Sequence, residues 1–204
     1  MRKVQLWKNK DEISELYAIV DDEDYDMVME AIGTKSKWYA HAPPGATHYA
    51  QRGKRQLPAM HRLVMGNPEG MCVDHINGDT LDNRKENLRI CTKSQNSMNK
   101  RLRSDSQSGY KGVYEVKKPN KHKYISKKTG ETTFHYHMPK KRFQAYIADP
   151  DTPAKKKRHI KLGNHATAIE AAMAYDKKAI EIQGEYARLN FPEKLEEYKK
   201  EMNP

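Results

Sequence analysis

The positive charge of this chain is confined to one stretch, and that confinement limits how it can fold. Residues 109–166 hold fifteen Lys/Arg against four Asp/Glu, a net of +11, which equals the net charge of all 204 residues. Residues 1–60 hold nine of each sign, residues 61–108 eight against six, and residues 167–204 six against eight. A uniformly basic chain says little, but this asymmetry points to a dedicated polyanion-binding surface. The competing reading is a solvated lysine loop.

Apolar residues make up 36% and charged residues 32% of the chain, with a mean hydropathy of −1.04. That is polar for a single globule and predicts small domains with much exposed surface. No apolar run approaches the roughly 20 residues that span a bilayer, and the start at Met1 to Lys8 is basic with no apolar stretch behind it. Cys72 and Cys91 are the two cysteines. They exclude a multi-disulfide scaffold and a four-cysteine zinc site, and they fit a reducing cytosol, where no disulfide-linked partner is expected.

Along the chain, Leu16–Val20 reads as a strand, and the acids from Asp21 to Asp26 suit a helix N-terminus. Residues 37–40 and 48–51 flank a Pro43-Pro44-Gly45 turn as in a hairpin. Met60–Met65 reads as a short helix stopped by Gly66-Asn67-Pro68. Met71–His75 and Leu88–Thr92 read as strands, and Thr92 and Gln95 have capping-box spacing for a helix through Asn96 and Asn99. The polar stretch Asn99–Ser108 reads as a linker. Residues 112–116, 143–147 and 159–163 read as three strands, followed by a helix with Thr167 and Glu170 as capping box and Gly184 as stop. Its small residues, Ala168, Ala171, Ala172, Ala174 and Ala179, allow close approach to a sheet. The acidic end reads as a frayed helix.

The densest chemistry lies in Asp74-His75, the Asn77-Gly78 turn, Asp82-Asn83-Arg84, Asn87-Leu88-Arg89 and Asn96. A histidine near its ordinary pKa accepts a proton from water at neutral pH, as a general base must. Asp74 precedes His75 on a strand, so locally their side chains point to opposite faces. Asn77, Gly78, Asp82 and Asn83 read as ordinary turn formers. Arg84, Arg89 and Lys93 read as solvated charges or, on a nuclease, as phosphate contacts, His61 as a weak supporting group, and Cys91 as a core thiol. No nucleophile elbow, phosphate-binding Gly-rich loop or dinucleotide fingerprint is present. Over residues 60–100 this pattern resembles the HNH nucleases, in the subgroup whose third signature residue is Asn. The resemblance implies that His75 is the general base and that Asp74 and Asn96 hold a divalent cation, Mg2+ or Mn2+. It implies that Asn87 braces the loop and orients the base.

A second resemblance covers Ser108 to Pro192. Tyr110-Lys111-Gly112-Val113-Tyr114, Phe143-Gln144-Ala145-Tyr146-Ile147, Leu162-Gly163, Ala171-Ala172-Met173-Ala174-Tyr175-Asp176 and Ala187–Pro192 are similar to the Apetala-two domain of plant ethylene-response factors. That resemblance implies a three-stranded sheet that lies in the DNA major groove with a helix behind it. By position, Lys111, Tyr114, Arg142 and Lys161 become candidate DNA contacts, and Arg158 with Lys155–Lys157 candidate phosphate contacts. The Lys117–Lys141 connection is longer and richer in lysine than the plant pattern, so the plant target sequence does not transfer.

The expectation is an α+β protein: a mixed scaffold or DNA-positioning unit at 1–56, a ββα-metal HNH nuclease segment at 57–100 and a linker at 101–108. A three-stranded antiparallel sheet plus helix for DNA binding follows at 109–192, with an acidic tail at 193–204. The expected activity is a homing-type endonuclease of the phage or mobile-intron kind, a monomer that nicks duplex DNA in the cytoplasm, a bacterial host's if phage-encoded. The rivals are a catalytically inactive DNA-binding regulator and an RNA-directed protein.

Overall fold

The computed structural model describes residues 1–33, 36–42, 47–52, 58–102, 104–117, 120–137, 142–149 and 158–202. They form α+β architecture in two units that divide between Lys100 and Arg101. The expected turn at Pro43-Pro44-Gly45 lies outside the described residues.

In the first unit, β1 (Arg2–Trp7) and β2 (Ile13–Val20) form an antiparallel hairpin. The Asn9 side-chain oxygen fastens its turn by accepting from the backbone N–H groups of Asp11 and Glu12, at 2.9 and 3.0 Å. Helix α1 (Asp22–Ile32) follows with Asp22, Glu23 and Asp24 in its first turn, where carboxylates oppose the positive end of the dipole. Strands β3 (Trp38–His41) and β4 (Tyr49–Arg52) complete a sheet ordered β2-β1-β3-β4. Helix α2 (Met60–Val64) leads to β5 (Cys72–His75), a 3-10 turn at Lys85–Asn87, β6 (Leu88–Cys91) and α3 (Lys93–Met98). The Thr92–Gln95 capping box is formed in both directions. One apolar core joins Val4, Leu6, Val20, Val28 and Trp38 to Met60, Val73 and Leu88. Residues 1–56 and the strands of the motif therefore share a single interior, and burial of each large side chain there contributes about 1.5–3 kcal/mol.

The second unit holds β7 (Val113–Glu115), β8 (Asn120–Ile125), β9 (Thr132–His137), β10 (Phe143–Ala148) and β11 (His159–His165), then α4 (Ala168–Gln183) and α5 (Leu195–Met202). β11, β10 and β7 make an antiparallel sheet in that order. Its inner face, Val113, Ala145 and Ile147, packs on Ala171, Ala172, Tyr175 and Ala179 of α4. Approach is close enough that a Cβ on Gly112, at φ +74°, would stand 2.1 Å from the Tyr175 ring. Asp176, fully buried, accepts from the Asn190 N–H at 2.8 Å, the Asn190 amide at 2.9 Å and the Phe191 N–H at 2.8 Å. Asn190 in turn accepts from the Lys111 N–H at 2.7 Å and donates to the Lys111 carbonyl at 3.2 Å. The Tyr-Asp and Leu-Asn-Phe runs thus form a latch that fixes the entrance to β7.

Three details differ from the sequence reading. The lysine-rich connection contains the β8–β9 hairpin. The acidic end is not frayed, because α5 is anchored by the fully buried Tyr198. At the start of α4, Thr167 accepts from the Glu170 N–H, but the Glu170 carboxylate takes the Ala166 N–H.

Candidate active site

The loop between β5 and β6 is built from hydrogen-bonding side chains. Gly78, at φ +75°, permits the turn after His75, and its N–H bonds the His75 carbonyl at 2.9 Å. Asn77 accepts from the Asp79 N–H at 2.6 Å, and Asp79 accepts from the Leu81 N–H at 3.0 Å. Asn87 closes the neck: it accepts from the Asn77 N–H at 2.9 Å and donates to the Asp82 carbonyl at 2.8 Å. The buried Asp82 carboxylate takes a two-pronged bond from Arg84, at 2.8 and 2.7 Å. That contact holds the carboxyl of Asp82 below the usual carboxylate range.

The first sheet grips this loop. The Ile19 N–H donates to the Leu81 carbonyl and the Asn83 N–H to the Ile19 carbonyl, both at 2.8 Å. Asp21 accepts from the Lys85 N–H at 2.8 Å, and the Lys85 ammonium pairs with Glu23 and Asp24 at 2.8 Å. The acids read from sequence only as dipole partners of α1 are also anchors for the loop.

His75 is buried, with its Nε2 3.4 Å from the side-chain oxygen of Asn83. Asn83 donates its amide to the Leu81 carbonyl at 3.0 Å, so its oxygen faces the imidazole and accepts. The proton therefore sits on Nε2, which leaves the Nδ1 lone pair as the basic site. Burial pushes the His75 pKa down, opposed by the Asn83 bond and by Asp74, Asp79 and Asp82. Its ring meets His61 edge-on at 5.0 Å and Tyr49 at 6.0 Å. His61 has an Nδ1 that is out of solvent and without a partner among the described residues. Burial, then the nearby His75 and Arg62, push its pKa down to about 3.

Asp74 pairs across the strands with Arg89, which donates from Nε at 3.0 Å and Nη2 at 2.7 Å to Oδ2. Both side chains are nearly buried, 8% and 11% exposed. The Asn99 amide lies 3.2 and 3.0 Å from the two Asp74 oxygens and 2.8 Å from the His75 carbonyl. Asn96 stands half-buried on α3 and lines a pocket with Tyr49, His61, Arg62, Asn67 and Cys72. Among the described residues, then, the carboxamide on Asp74 is that of Asn99. Among the described residues, no three His, Cys, Asp or Glu side chains converge as a metal-binding group. Asn83 and Asn99 were missed as site residues because each reads in sequence as a turn or helix asparagine. The Cys91 thiol is buried, and burial pushes its pKa up, as in a core thiol.

The expected phosphate contacts divide into two groups. Arg84 is engaged by Asp82 and Glu86, and Arg89 by Asp74, while Lys93 is exposed on α3. In the second unit, Tyr114 lies opposite Gln144 and Lys161 opposite Tyr146. Together with Asn164, these side chains share the sheet face away from α4. Arg142 and Arg158 are exposed beside it. Lys111 is half-buried, and burial pushes its pKa down to about 8. Lys155–Lys157 lie outside the described residues.

The family model described as HNH endonuclease matches residues 60–98, from α2 through α3. Residues 60–98 are an HNH endonuclease domain. The chain is similar to the uncharacterized HNH endonuclease L560 of Acanthamoeba polyphaga mimivirus, 36% identical over 95 residues, covering 44% of this chain and 46% of that protein. It is also similar to the dehydration-responsive element-binding protein 2E of Arabidopsis thaliana, 65% identical over 34 residues, covering 17% of this chain and 14% of that protein. The chain thus spans less than half the length of these curated relatives. No solved structure matches. Among the described residues, no helix is long and apolar enough to cross a membrane.

Proposed function

We propose that this protein is a divalent-cation-dependent endonuclease that hydrolyses phosphodiester bonds of duplex DNA, nicking one strand per encounter as a monomer. Its HNH domain cuts and its second unit selects the place. The observation that carries this reading is the buried His75, held by Asn83 as the Nε2–H tautomer beside Asp74. In this reaction Nδ1 of His75 takes a proton from water, the water oxygen bonds to phosphorus, and the bond to the 3′ oxygen breaks. Asn87 and Asn83 hold the loop and ring in place. The low pKa of His75 keeps the base unprotonated at neutral pH.

The donor chemistry fits a hard cation. Asp74 offers a carboxylate and Asn96 a carboxamide oxygen, and Mg2+ characteristically takes one or two such ligands while keeping waters for the rest. A bound cation would polarise the phosphate and stabilise charge on the leaving oxygen. Any ion there shares Asp74 with Arg89 and Asn99. That engagement is also what supports the second reading, a DNA-binding regulator without nuclease activity. The resemblance of residues 108–192 to the Apetala-two domain, the chain's similarity to a plant dehydration-responsive element-binding protein, and the sheet face that carries Tyr114, Gln144, Tyr146 and Lys161 support duplex DNA as the partner. A nuclease domain joined to a site-selecting module is the arrangement of a homing endonuclease, the class we assign, of the phage or mobile-intron kind.

Supercoiled plasmid carrying the gene's own flanking DNA tests this, with Mg2+ or EDTA and with His75→Ala as control. Nicking by the wild type in Mg2+ alone, and binding without cutting by His75→Ala, is the expected outcome. Tight binding without cleavage in any divalent metal, on these flanks and on pooled genomic DNA, selects the regulator.

A further inference from the structure

Residues 117–142 carry nine Lys/Arg and one Glu, a net of +8 out of the chain's +11. This segment departs from the end of β7 and returns at β10, where the Val116 N–H bonds the Arg142 carbonyl at 2.6 Å. Between them, β8 and β9 pair over six positions from Asn120↔His137 to Ile125↔Thr132. The tip is a tight turn. Ser126 accepts from the N–H groups of Lys128 and Thr129 at 3.3 and 3.2 Å, and Gly130 takes φ +72°.

The unit's own interior does not account for this ribbon. Its described side chains from Lys123 to His135 are exposed on both faces, apart from the half-buried Ser126, and neither apolar core of the unit includes any of them. Tyr124, Ile125 and Phe134 are 58%, 53% and 47% exposed. Tyr124 shares one face with Thr133 and His135, its ring 6.2 Å from that of His135. Lys123, Ile125, Thr132 and Phe134 share the other. A two-stranded ribbon alone is marginal in water, and aromatic groups among lysines are the composition of a nucleic-acid surface. A B-form major groove admits a two-stranded ribbon, and six-residue strands reach about 20 Å, or about six base pairs.

We propose that the β8–β9 ribbon is a second DNA-binding element, separate from the face of the three-stranded sheet. It lies along a groove of duplex DNA, with lysines such as Lys123, Lys127 and Lys128 on phosphates and with Tyr124 and Phe134, on opposite faces, toward the two groove walls. It supplies affinity and length of footprint, while the sheet face supplies choice of sequence. The identity of the partner as DNA rests on the function proposed above; the placement of the second contact rests on the ribbon's own exposure and charge.

The test titrates mixed-sequence duplexes of about four helical turns in EDTA across a series of salt concentrations, using the full chain. Lys123→Gln/Lys127→Gln/Lys128→Gln is compared with wild type and with the sheet variant Tyr114→Ala/Lys161→Ala. All substituted side chains are exposed, and unchanged melting curves verify the fold. The triple variant is expected to bind about 10- to 100-fold more weakly near 0.1 M salt, with the log–log salt slope shallower by about 2–3. Its hydroxyl-radical footprint should shorten by about six base pairs at one end. The sheet variant should keep the full footprint length. As a second probe, Tyr124→Ala/Phe134→Ala is expected to weaken binding with the slope unchanged. A triple variant with wild-type slope and footprint overturns the ribbon's role while leaving the proposed function standing. Weakened binding to duplex RNA but not to DNA overturns the choice of partner. A wild type that binds no duplex DNA at all sinks both readings.

Discussion

The side-chain oxygen of Asn83 faces Nε2 of His75 at 3.4 Å, and the Asn83 amide is committed to the Leu81 carbonyl. This relationship sets which nitrogen of His75 carries the proton, and it links the candidate base to a loop held by Ile19 of the first sheet. Asn83→Ala should lower kcat for plasmid nicking about 10- to 100-fold with little change in KM, a loss typical of a misplaced base. Asn83→Asp should raise the His75 pKa, because a carboxylate favours the imidazolium. Its acid limb in a pH–rate profile should therefore move to higher pH. An unmoved limb in Asn83→Asp removes Asn83 from the site.

Burial depresses the His75 pKa from its ordinary value. A base is active when unprotonated, so wild-type nicking should already be level at pH 7 and should decline only below the ordinary histidine range. A profile still rising between pH 7 and 8 contradicts this assignment.

Arg89 compensates the buried carboxylate of Asp74. Removing one member of such a pair leaves an unpaired charge and costs about 3–5 kcal/mol. Arg89→Ala should melt well below wild type. If Asp74 holds a cation, millimolar Mg2+ or Mn2+ should restore more of the lost melting temperature in Arg89→Ala than it adds to the wild type, through binding linkage.

His61 has a folded pKa of about 3, below that of the unfolded chain, so the unfolded state binds the extra proton between those values. Stability is then full above about pH 6.5 and is lost as pH falls toward about 3, with a slope of at most about 1.4 kcal/mol per pH unit from this residue. Urea melts of His61→Phe from pH 7 to pH 4 should show a flatter decline than wild type.

Asp176 collects three N–H donors that also position Asn190 against Lys111. Asp176→Ala leaves those donors without an acceptor and should destabilise the second unit by about 3 kcal/mol or more. Calorimetry should show its transition shifted down while that of residues 1–100 stays in place. A shift of both transitions refutes independent units.

The sequence by itself determined the elements whose signals are local. Strand alternation, the Thr92–Gln95 box and the Gly78 turn depend on neighbours within a few residues, and the Asp74-His75 to Asn96 motif is a pattern of residue types readable along the chain. The charge map likewise located the basic segment, because composition needs no coordinates. Tertiary structure alone decided which asparagine meets which group. Asn83 and Asn99 lie eight and twenty-four residues from His75, and an asparagine's partner follows from chain folding, since its side chain serves turn, cap or buried network equally well. It also decided the work of residues 1–56, whose backbone at Ile19 and acids at Asp21, Glu23 and Asp24 grip a loop some sixty residues away. The β8–β9 ribbon escaped for a related reason. β8 is a polar run with Lys121 and Lys123, and β9, which holds no lysine, is a six-residue run of threonine, histidine and aromatics; cross-strand pairing, a non-local interaction, is what makes them strands.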